Sequence, residues 1–342
     1  MSDRSSVAAV YVQTNEPDSN RVVAFRRATD GTLEEPVAYP AGGAGDGVPH
    51  LTSQGSVILT GDGRHLLVAN AGSGDVTVFA VSEQGLELVQ TVATGPAPKS
   101  IAEYHGLVYV LNTGAPSLVG FRLGERGLDA VPGSERALSA DADPAQVGFS
   151  PDGSKLVVTD RGTDSLVVYP VAADGLLGEP TQYPSAGPTP YGFAFTNGGT
   201  LIVTEAFGAQ TGKAAASSYM LDDESVSPVT RSLGNGRSEI CWAVVSQDDR
   251  YAFTTNFADG AISRWAIEAD GRIELDDPVA AVAVEGQPGL RDEDLTSDGR
   301  FLYAIDADSQ RIFGWAVGEG GSLEPLGSWP GVPATVAGLA AG

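Results

Sequence analysis

The sequence has one cysteine, Cys241, and little positive charge for its length of 342 residues. One cysteine excludes an internal disulfide framework and disfavours a zinc–thiolate site. Twenty Lys and Arg residues stand against 44 Asp and Glu residues, which gives a formal net charge of −24. Nucleic acids and anionic membranes require a basic face. We therefore expect neither as a partner.

Long apolar runs are also missing, so no membrane-spanning helix is expected. The N-terminal residues lack the apolar stretch of a secretory signal, because Asp3 and Arg4 follow the first Met closely. There is no Gly-rich phosphate loop, no GxSxG motif and no metal motif of fixed spacing. These absences predict a cytoplasmic protein that acts on a small molecule without a cofactor, with a monomer slightly favoured.

The sequence is instead rich in glycine, with 44 residues, and in short β-branched runs, which is typical of all-β proteins. Seven of these runs end in a polar residue. The intervals between successive ends are 55, 42, 48, 45, 51 and 50 residues. The seven positions, which we call the strand-end residues, are Asn15, Asn70, Asn112, Asp160, Glu205, Asn256 and Asp306.

A second series keeps step with the first and consists of aromatic residues in the following strand. Its members are Phe25, Phe79, Phe121, Tyr169, Tyr219, Trp265 and Trp315. Hairpin turns such as Asp152-Gly153 and Asp298-Gly299 separate the runs. Seven units of four strands each predict an all-β fold, a seven-bladed β-propeller.

The phase of the repeat predicts how the ring closes. Most units begin with an inner strand, but the first begins directly with AAVYVQTN, and the missing strand is found in VPATVAGLAA near residue 342. We expect the C-terminal strand to complete the N-terminal blade and to remove open sheet edges. Residues 1–342 are therefore predicted to form one domain.

Loops that enter the inner strands and loops that leave the second strands lie on one face of a propeller, around the mouth of the central channel. Glu205 is the one glutamate among the strand-end residues, and about five extra residues follow it. A partly buried carboxylate there could act as a general base. Three arginines suit an anionic substrate or an oxyanion. The predicted catalytic residues are Glu205, Arg161, Arg237 and Arg291.

The same face offers residues that could contact a substrate. These are His50, Lys99, Tyr191, Glu239, Asn70, Asn112 and Asn256. The alternative for each Asn is a structural role, in which its side chain caps a turn or hydrogen-bonds to a neighbouring blade. The alternative for each cation is a salt bridge with one of the abundant carboxylates. Cys241 is expected to be a buried structural thiol.

Several stretches resemble the lactonase-family seven-bladed propellers, which include bacterial-type 6-phosphogluconolactonase and the fungal carboxymuconate-lactonising enzyme. The similar stretches are VANAGSGDVTVFAV, FSPDGSKLVVTDRGTDSLVVYPV, LRDEDLTSDGRFLYAID and SRWAIEADGRIEL. A bacterial lactonase-like branch is similar in Gly192–Phe195, Glu205–Gly208, Ser217–Tyr219 and Cys241-Trp242. The resemblance covers essentially the whole chain and implies the propeller fold.

The resemblance also implies four catalytic positions, of which this sequence keeps one. Glu205 matches the glutamate of the lactonising members. Asp143 stands in the region of the family histidine, and Thr189 stands where the family has an arginine after Gly-Pro. Asn256 and Phe257 occupy the region of the second arginine.

Three functions remain open at this point. The first is a hydrolase or isomerase of a small, sugar-derived or carboxylated lactone, with Glu205 as base. The second is a non-catalytic binding or scaffolding module. The third is a metal-dependent lactonase, in which Glu205 with Asn70, Asn112, Asn256 or Asp160 would hold a divalent cation through oxygen ligands.

Overall fold

The computed structural model describes residues 7–48, 54–222 and 225–342, and the strands within them form seven antiparallel sheets arranged as the blades of a propeller. In chain order, the strands of blades 1 to 4 are β1 (Ala9–Gln13), β2 (Arg21–Arg26), β3 (Val37–Pro40), β4 (Val57–Leu59), β5 (His65–Asn70), β6 (Asp75–Ser82), β7 (Gly85–Ala93), β8 (Pro98–Tyr104), β9 (Leu107–Asn112), β10 (Ser117–Gly124), β11 (Gly127–Ala130), β12 (Arg136–Ala137), β13 (Pro144–Phe149), β14 (Lys155–Asp160), β15 (Ser165–Pro170) and β16 (Thr181–Pro184).

Blades 5 to 7 follow the same plan. Their strands are β17 (Pro190–Phe195), β18 (Thr200–Glu205), β19 (Ala215–Leu221), β20 (Val226–Gly234), β21 (Ile240–Val245), β22 (Tyr251–Asn256), β23 (Ala261–Ile267), β24 (Ile273–Val282), β25 (Leu290–Leu295), β26 (Phe301–Asp306), β27 (Arg311–Val317) and β28 (Leu323–Pro330). Strand β29 (Ala337–Ala341) follows them in the chain and belongs to blade 1. Three short 3-10 turns lie at Phe207–Ala209, Phe257–Asp259 and Glu319–Gly321.

The predicted ring closure is confirmed. Strand β29 pairs antiparallel with β1, so the first blade has the order β29-β1-β2-β3. Because β29 takes the innermost position, the last strand of the chain supplies the inner strand of the first blade. The two ends of the chain are thereby held in one sheet, with Val10 opposite Ala341.

Blade 3 differs from the four-stranded unit that the repeat predicts. Its outer edge is divided between β11 and β12, which both pair with β10. The sequence Val131-Pro132-Gly133-Ser134 separates them, and Gly133 has a φ of 77°, which places it in the left-handed region. Proline and a left-handed glycine interrupt a strand, and the edge of a blade is where such an interruption is tolerated.

Apolar side chains fill the spaces between neighbouring blades, and the described residues form one such cluster at each of the seven blade interfaces. The aromatic series supplies the largest members, and all seven of its residues are buried. Each large apolar side chain contributes about 1.5–3 kcal/mol when fully buried. The second sequence marker is therefore the set of side chains that holds the blades together.

The register between inner and second strands fixes the mouth of the channel. In five blades the first residue of the inner strand lies opposite the strand-end residue, as Pro144 lies opposite Asp160 and Leu290 opposite Asp306. Both therefore lie on the same face of the ring, which we call the mouth face. The hairpin turns between these strands lie on the opposite face, the hairpin face. Nowhere in the described ranges is there a helix long and apolar enough to cross a membrane.

Candidate functional site at the channel mouth

The strand-end asparagines make structural hydrogen bonds. Asn70, Asn112 and Asn256 are buried. Their amides donate to nearby groups, namely Asn70 to Asp75 Oδ1 (2.7 Å), Asn112 to the Thr94 carbonyl (2.9 Å) and Asn256 to Ser263 Oγ (2.9 Å). The contacts of Asn70 and Asn256 lie within their own blades, whereas Asn112 bonds to Thr94, which follows the last strand of blade 2. The structure thus shows the contacts of the structural alternative for all three, in which the side chain fixes a turn or bonds to a neighbouring blade.

Glu205 is also held inside its own blade. Its side chain is fully buried, and Oε1 accepts hydrogen bonds from the Gly187 N–H (2.9 Å) and from the Ser217 hydroxyl. Burial raises the pKa of Glu205, while the donors Ser217, Ser232 and Gly187 oppose the rise. The Glu205 carboxylate therefore lies on β18, the second strand of blade 5, and faces the outer strands β19 and β20.

Three neighbouring inner strands bring a different set of side chains together. Tyr191, Cys241 and Arg291 each occupy the second position of their strand, in blades 5, 6 and 7. The Tyr191 ring packs against Trp242 at a centroid distance of 5.7 Å, and the Arg161 guanidinium lies 5.0 Å from the centre of the Tyr191 ring. We call Arg161, Tyr191, Cys241, Trp242 and Arg291 the mouth cluster.

Arg291 is the most unusual member of the cluster, because a buried guanidinium is normally paired. Its residue is 3% exposed and its guanidinium lies 5.0 Å from the centre of the Phe257 ring. Neither Nε nor Nη1 has a hydrogen-bond partner among the described residues. Burial lowers the pKa of Arg291, and the charges of Asp308 and Asp306 oppose this change. Arg291 thus presents free donors in a poorly hydrated place.

Tyr191 adds a second free donor. It is 3% exposed, and within the described ranges its hydroxyl has no hydrogen-bond partner. Burial raises the pKa of Tyr191 well above its usual value, with Cys241 adding to the rise and Arg161 opposing it. An ionised Tyr191 would raise the pKa of Arg291, so the two side chains lie within electrostatic range of each other. At neutral pH the phenol is protonated and can donate.

Two charged residues, Arg161 and Glu239, act electrostatically on the buried side chains of the mouth cluster. The Arg161 guanidinium contacts Asp143 at 2.7 Å. Burial raises the pKa of the Cys241 thiol, and Glu239 adds to the rise, whereas Arg161 and Arg291 oppose it. The Cys241 thiol therefore lies within electrostatic range of all three charged side chains. Glu239 is partly exposed, and its backbone is left-handed with a φ of 55°.

Two of the other predicted cations, Lys99 and Arg237, have described contacts of their own. The Lys99 ammonium lies 3.5 Å from Asp46. The Arg237 backbone contacts Asn235 and Ala214, and its buried Nε has no partner in the part of the chain that is described. His50 lies outside the described residues.

The described residues hold no group of three or more His, Cys, Asp or Glu side chains arranged to bind a metal ion.

The sequence profile of the family described as "Lactonase, 7-bladed beta-propeller" matches residues 8–125, 126–207 and 204–336. The chain belongs to this lactonase family. No curated protein matches the sequence.

Solved structures agree with the family fold at low sequence identity. The periplasmic gluconolactonase of Pseudomonas aeruginosa is 20% identical, with a TM-score of 0.73 over 96% of this chain and 97% of that one. A Bacteroides fragilis protein provisionally assigned as a 6-phosphogluconolactonase is 18% identical, with a TM-score of 0.77 over 99% of both chains. A functionally unknown protein of Desulfotomaculum acetoxidans is 12% identical, with a TM-score of 0.75 over 98% of this chain and 99% of that one.

The lactonase-family positions that differ here take part in local contacts. Asp143, in the region of the family histidine, pairs with Arg161. Thr189 has a φ of 59°, and its backbone N–H donates to Asp164 Oδ1 at 2.7 Å. Its hydroxyl accepts a hydrogen bond of 3.0 Å from the Gly208 N–H. Thr189 thus contributes to loop structure, whereas Asp143 orients a member of the mouth cluster.

Sequence reasoning missed Trp242 and Asp143 as parts of this site. The sequence nevertheless contained a signal for the mouth residues. In five blades, the second positions of the inner strands are separated from one another by one repeat length. These residues are Lys99, Ala145, Tyr191, Cys241 and Arg291. The repeat predicts their common height in the ring, but not which of them share a cluster.

Proposed function

We propose that this lactonase-family protein hydrolyses a small anionic lactone at the mouth face of the channel. The observation that carries the proposal is the pair of buried, unpartnered donors on Arg291 and Tyr191 among the described residues. Family membership supports the reaction class. Sugar-derived lactones are proposed as substrates because one similar structure is a gluconolactonase and another is provisionally a 6-phosphogluconolactonase.

Lactone hydrolysis develops negative charge on the carbonyl oxygen. Water adds to the carbonyl carbon, the tetrahedral oxyanion collapses, and the ring C–O bond breaks to release a hydroxy acid. Donors fixed in a poorly hydrated site stabilise such an oxyanion strongly, because they need no reorganisation. In the proposal, Arg291 and Tyr191 donate to this oxygen.

Arg161 would bind the negatively charged substituent of the substrate. Its guanidinium is fixed by stacking on Tyr191 and by the Asp143 carboxylate. A planar guanidinium held in this way suits a carboxylate or a phosphate, with which it makes two parallel hydrogen bonds. The Asp143 carboxylate orients the group and leaves the rest of its donor edge for a ligand.

Two carboxylates can be considered for the general base that activates water. Glu205 has a raised pKa, which suits a base, but its side chain is fully buried between Ser217 and Gly187. Glu239 is partly exposed and acts on the Cys241 thiol together with Arg161 and Arg291. Because a base must reach the attacking water, the partial exposure of Glu239 favours it over the buried Glu205.

Paired glutamine variants decide between the two bases. We expect Glu239→Gln to lower kcat about 100-fold, the usual effect of losing a general base, while Glu205→Gln retains most of the activity. Proton release from a panel of sugar and aliphatic lactones measures both, with and without EDTA. The opposite result would assign the base to Glu205, as the sequence predicts, and loss of activity in EDTA would favour a metal-dependent reaction.

A binding module is the second candidate, because three of the four family catalytic positions carry other side chains here. Calorimetry with 6-phosphogluconate separates the two functions. Binding that Arg161→Gln abolishes, without turnover of any lactone in the panel, would identify the mouth cluster as an anion-binding site and would overturn hydrolysis.

A further inference from the structure

The inner strands turn one edge toward the channel, where their backbone groups need partners. Side chains from the third position of the preceding blade's inner strand supply them. The Ser100 hydroxyl accepts a hydrogen bond from the Val147 N–H (3.1 Å). The Gln146 amide accepts one from the Phe193 N–H (2.6 Å) and donates to the Phe193 carbonyl (3.0 Å). Each of these two blades thus satisfies the inner edge of the next.

Blade 5 cannot continue this pattern, because its third position is Gly192, which has no side chain. The missing amide comes from Gln54 instead. Gln54 Nε2 donates to the Ala243 carbonyl (2.7 Å), and Oε1 accepts from the Ala243 N–H (3.1 Å). A Cβ on Gly192 would lie 2.4 Å from Gln54 Oε1. The glycine therefore leaves the space that the glutamine fills.

Gln54 reaches this position from across the ring. It lies just before β4 in blade 2, whereas Ala243 lies on β21 in blade 6. Its own carbonyl accepts a hydrogen bond of 2.6 Å from the Ser100 hydroxyl in blade 3. The residue thus spans the channel, since its backbone carbonyl bonds to blade 3 and its side-chain amide bonds to blade 6.

Gln54 lines two cavities on the hairpin side of the channel. One measures about 560 Å³ and extends past Gln146 and Asp294, and the other measures about 340 Å³ and extends past Ala243 and Asn197. Strand β21 runs from the mouth face to the hairpin face, and Cys241 precedes Ala243, the partner of Gln54, by two residues. Cys241 belongs to the mouth cluster, so Gln54 lies between that cluster and the two cavities.

We infer that Gln54 closes the channel beneath the mouth cluster and sets the depth of the substrate site. It is thereby a specificity-determining residue that limits the length of the lactone accepted. The role of Gln54 in specificity rests on the proposed function, whereas the closure of the channel does not. Both an amide donor and an amide acceptor are required, because the Ala243 carbonyl and N–H are both satisfied by this one side chain.

Cys241 gives a direct test of closure, because it is the single cysteine of the chain. Methyl methanethiosulfonate is added to the folded protein, and intact mass follows the modification. We expect Gln54→Ala to be modified about tenfold faster than wild type, since it opens a route from the hairpin-side cavities. Gln146→Ala is the matched control, because it removes an equivalent amide from another blade. An unchanged rate in Gln54→Ala, or equal acceleration in both variants, would overturn closure.

The specificity is tested with lactones that carry short and long alkyl substituents. We expect Gln54→Ala to raise the ratio of kcat/KM for long over short substrates about fivefold, with Gln146→Ala at the wild-type ratio. An unchanged ratio would overturn the specificity role. If the wild-type protein hydrolyses no lactone, the proposed function fails. Closure of the channel is then tested by the rates of Cys241 modification alone. Where Gln54→Ala does not fold, Gln54→Asn keeps the amide but is too short to span the channel.

Discussion

Replacement of Arg291 by glutamine is expected to lower kcat/KM for a hydrolysable lactone by about 100- to 1000-fold. Arg291 is 3% exposed and keeps two guanidinium nitrogens without partners among the described residues, so a substrate oxygen is the natural acceptor. Loss of a donor that acts mainly on the transition state lowers kcat more than it changes KM. Initial rates of proton release over a range of lactone concentrations measure both parameters.

The control for this prediction is Arg272→Gln. Arg272 is exposed and pairs with Asp270 on the surface, and its replacement should leave the rates unchanged. The melting temperatures of both variants show whether the fold is intact. A folded Arg291→Gln protein with wild-type kcat/KM would remove Arg291 from the catalytic site and with it the proposed oxyanion pair.

Three consecutive carboxyl groups on β25 should make the protein less stable as pH rises from about 5 to about 8. Burial raises the pKa of Asp294 to about 7 and raises the pKa values of Asp292 and Glu293 well above the usual range, with repulsion among neighbouring carboxylates adding to the last two. The folded state therefore holds these protons more tightly than the unfolded state. Stability is full below the unfolded pKa values near 4 and is lost as pH rises through the folded ones.

Glu293 is expected to dominate the effect. Asp294 accepts hydrogen bonds from the Ala341 and Leu295 N–H groups, but neither carboxylate oxygen of Glu293 has a partner within the described ranges. The equivalent position of the inner strand is occupied by Val147 in blade 4 and by Phe193 in blade 5. We expect Glu293→Gln to raise the free energy of unfolding at pH 8 by about 1–3 kcal/mol, because glutamine has no carboxyl group that the folded state must keep protonated or bury as a charge.

Urea unfolding at pH 5.5 and at pH 8 measures this gain and its pH dependence. Each affected carboxyl changes the unfolding free energy by up to about 1.4 kcal/mol per pH unit between its unfolded and folded pKa. Glu293→Gln should therefore flatten the dependence, and its gain should shrink at pH 5.5. The exposed Glu274→Gln variant is the control. Equal slopes for wild type and Glu293→Gln would contradict the prediction.

The fold could be predicted from the sequence because its markers have local causes. A strand-end residue such as Asn256 fixes the turn that follows its strand, and an aromatic such as Trp265 fills a blade interface in every unit. Both requirements recur once per blade, so the sequence repeats them. The ring closure followed from the same periodicity, because one inner strand was missing at the start and present at the end.

The site was less predictable, because it depends on which strand of a blade faces the channel. Glu205 differs from the other strand-end residues in sequence, yet it lies on a second strand and faces Ser217. Arg161 and Arg291 were predicted, and the structure brings both to Tyr191 and Cys241. Their clustering with Trp242 results from contacts between neighbouring blades, which periodicity alone does not specify.

Ring closure also has a consequence for protein synthesis. Strand β1 is synthesised about 330 residues before its inner neighbour β29, since Val10 pairs with Ala341. At about 5–20 residues per second, the first blade waits on the order of tens of seconds on the ribosome for its last strand. During that time an apolar inner edge is exposed, so chaperone supply and translation speed should affect yield more than a single substitution on the surface.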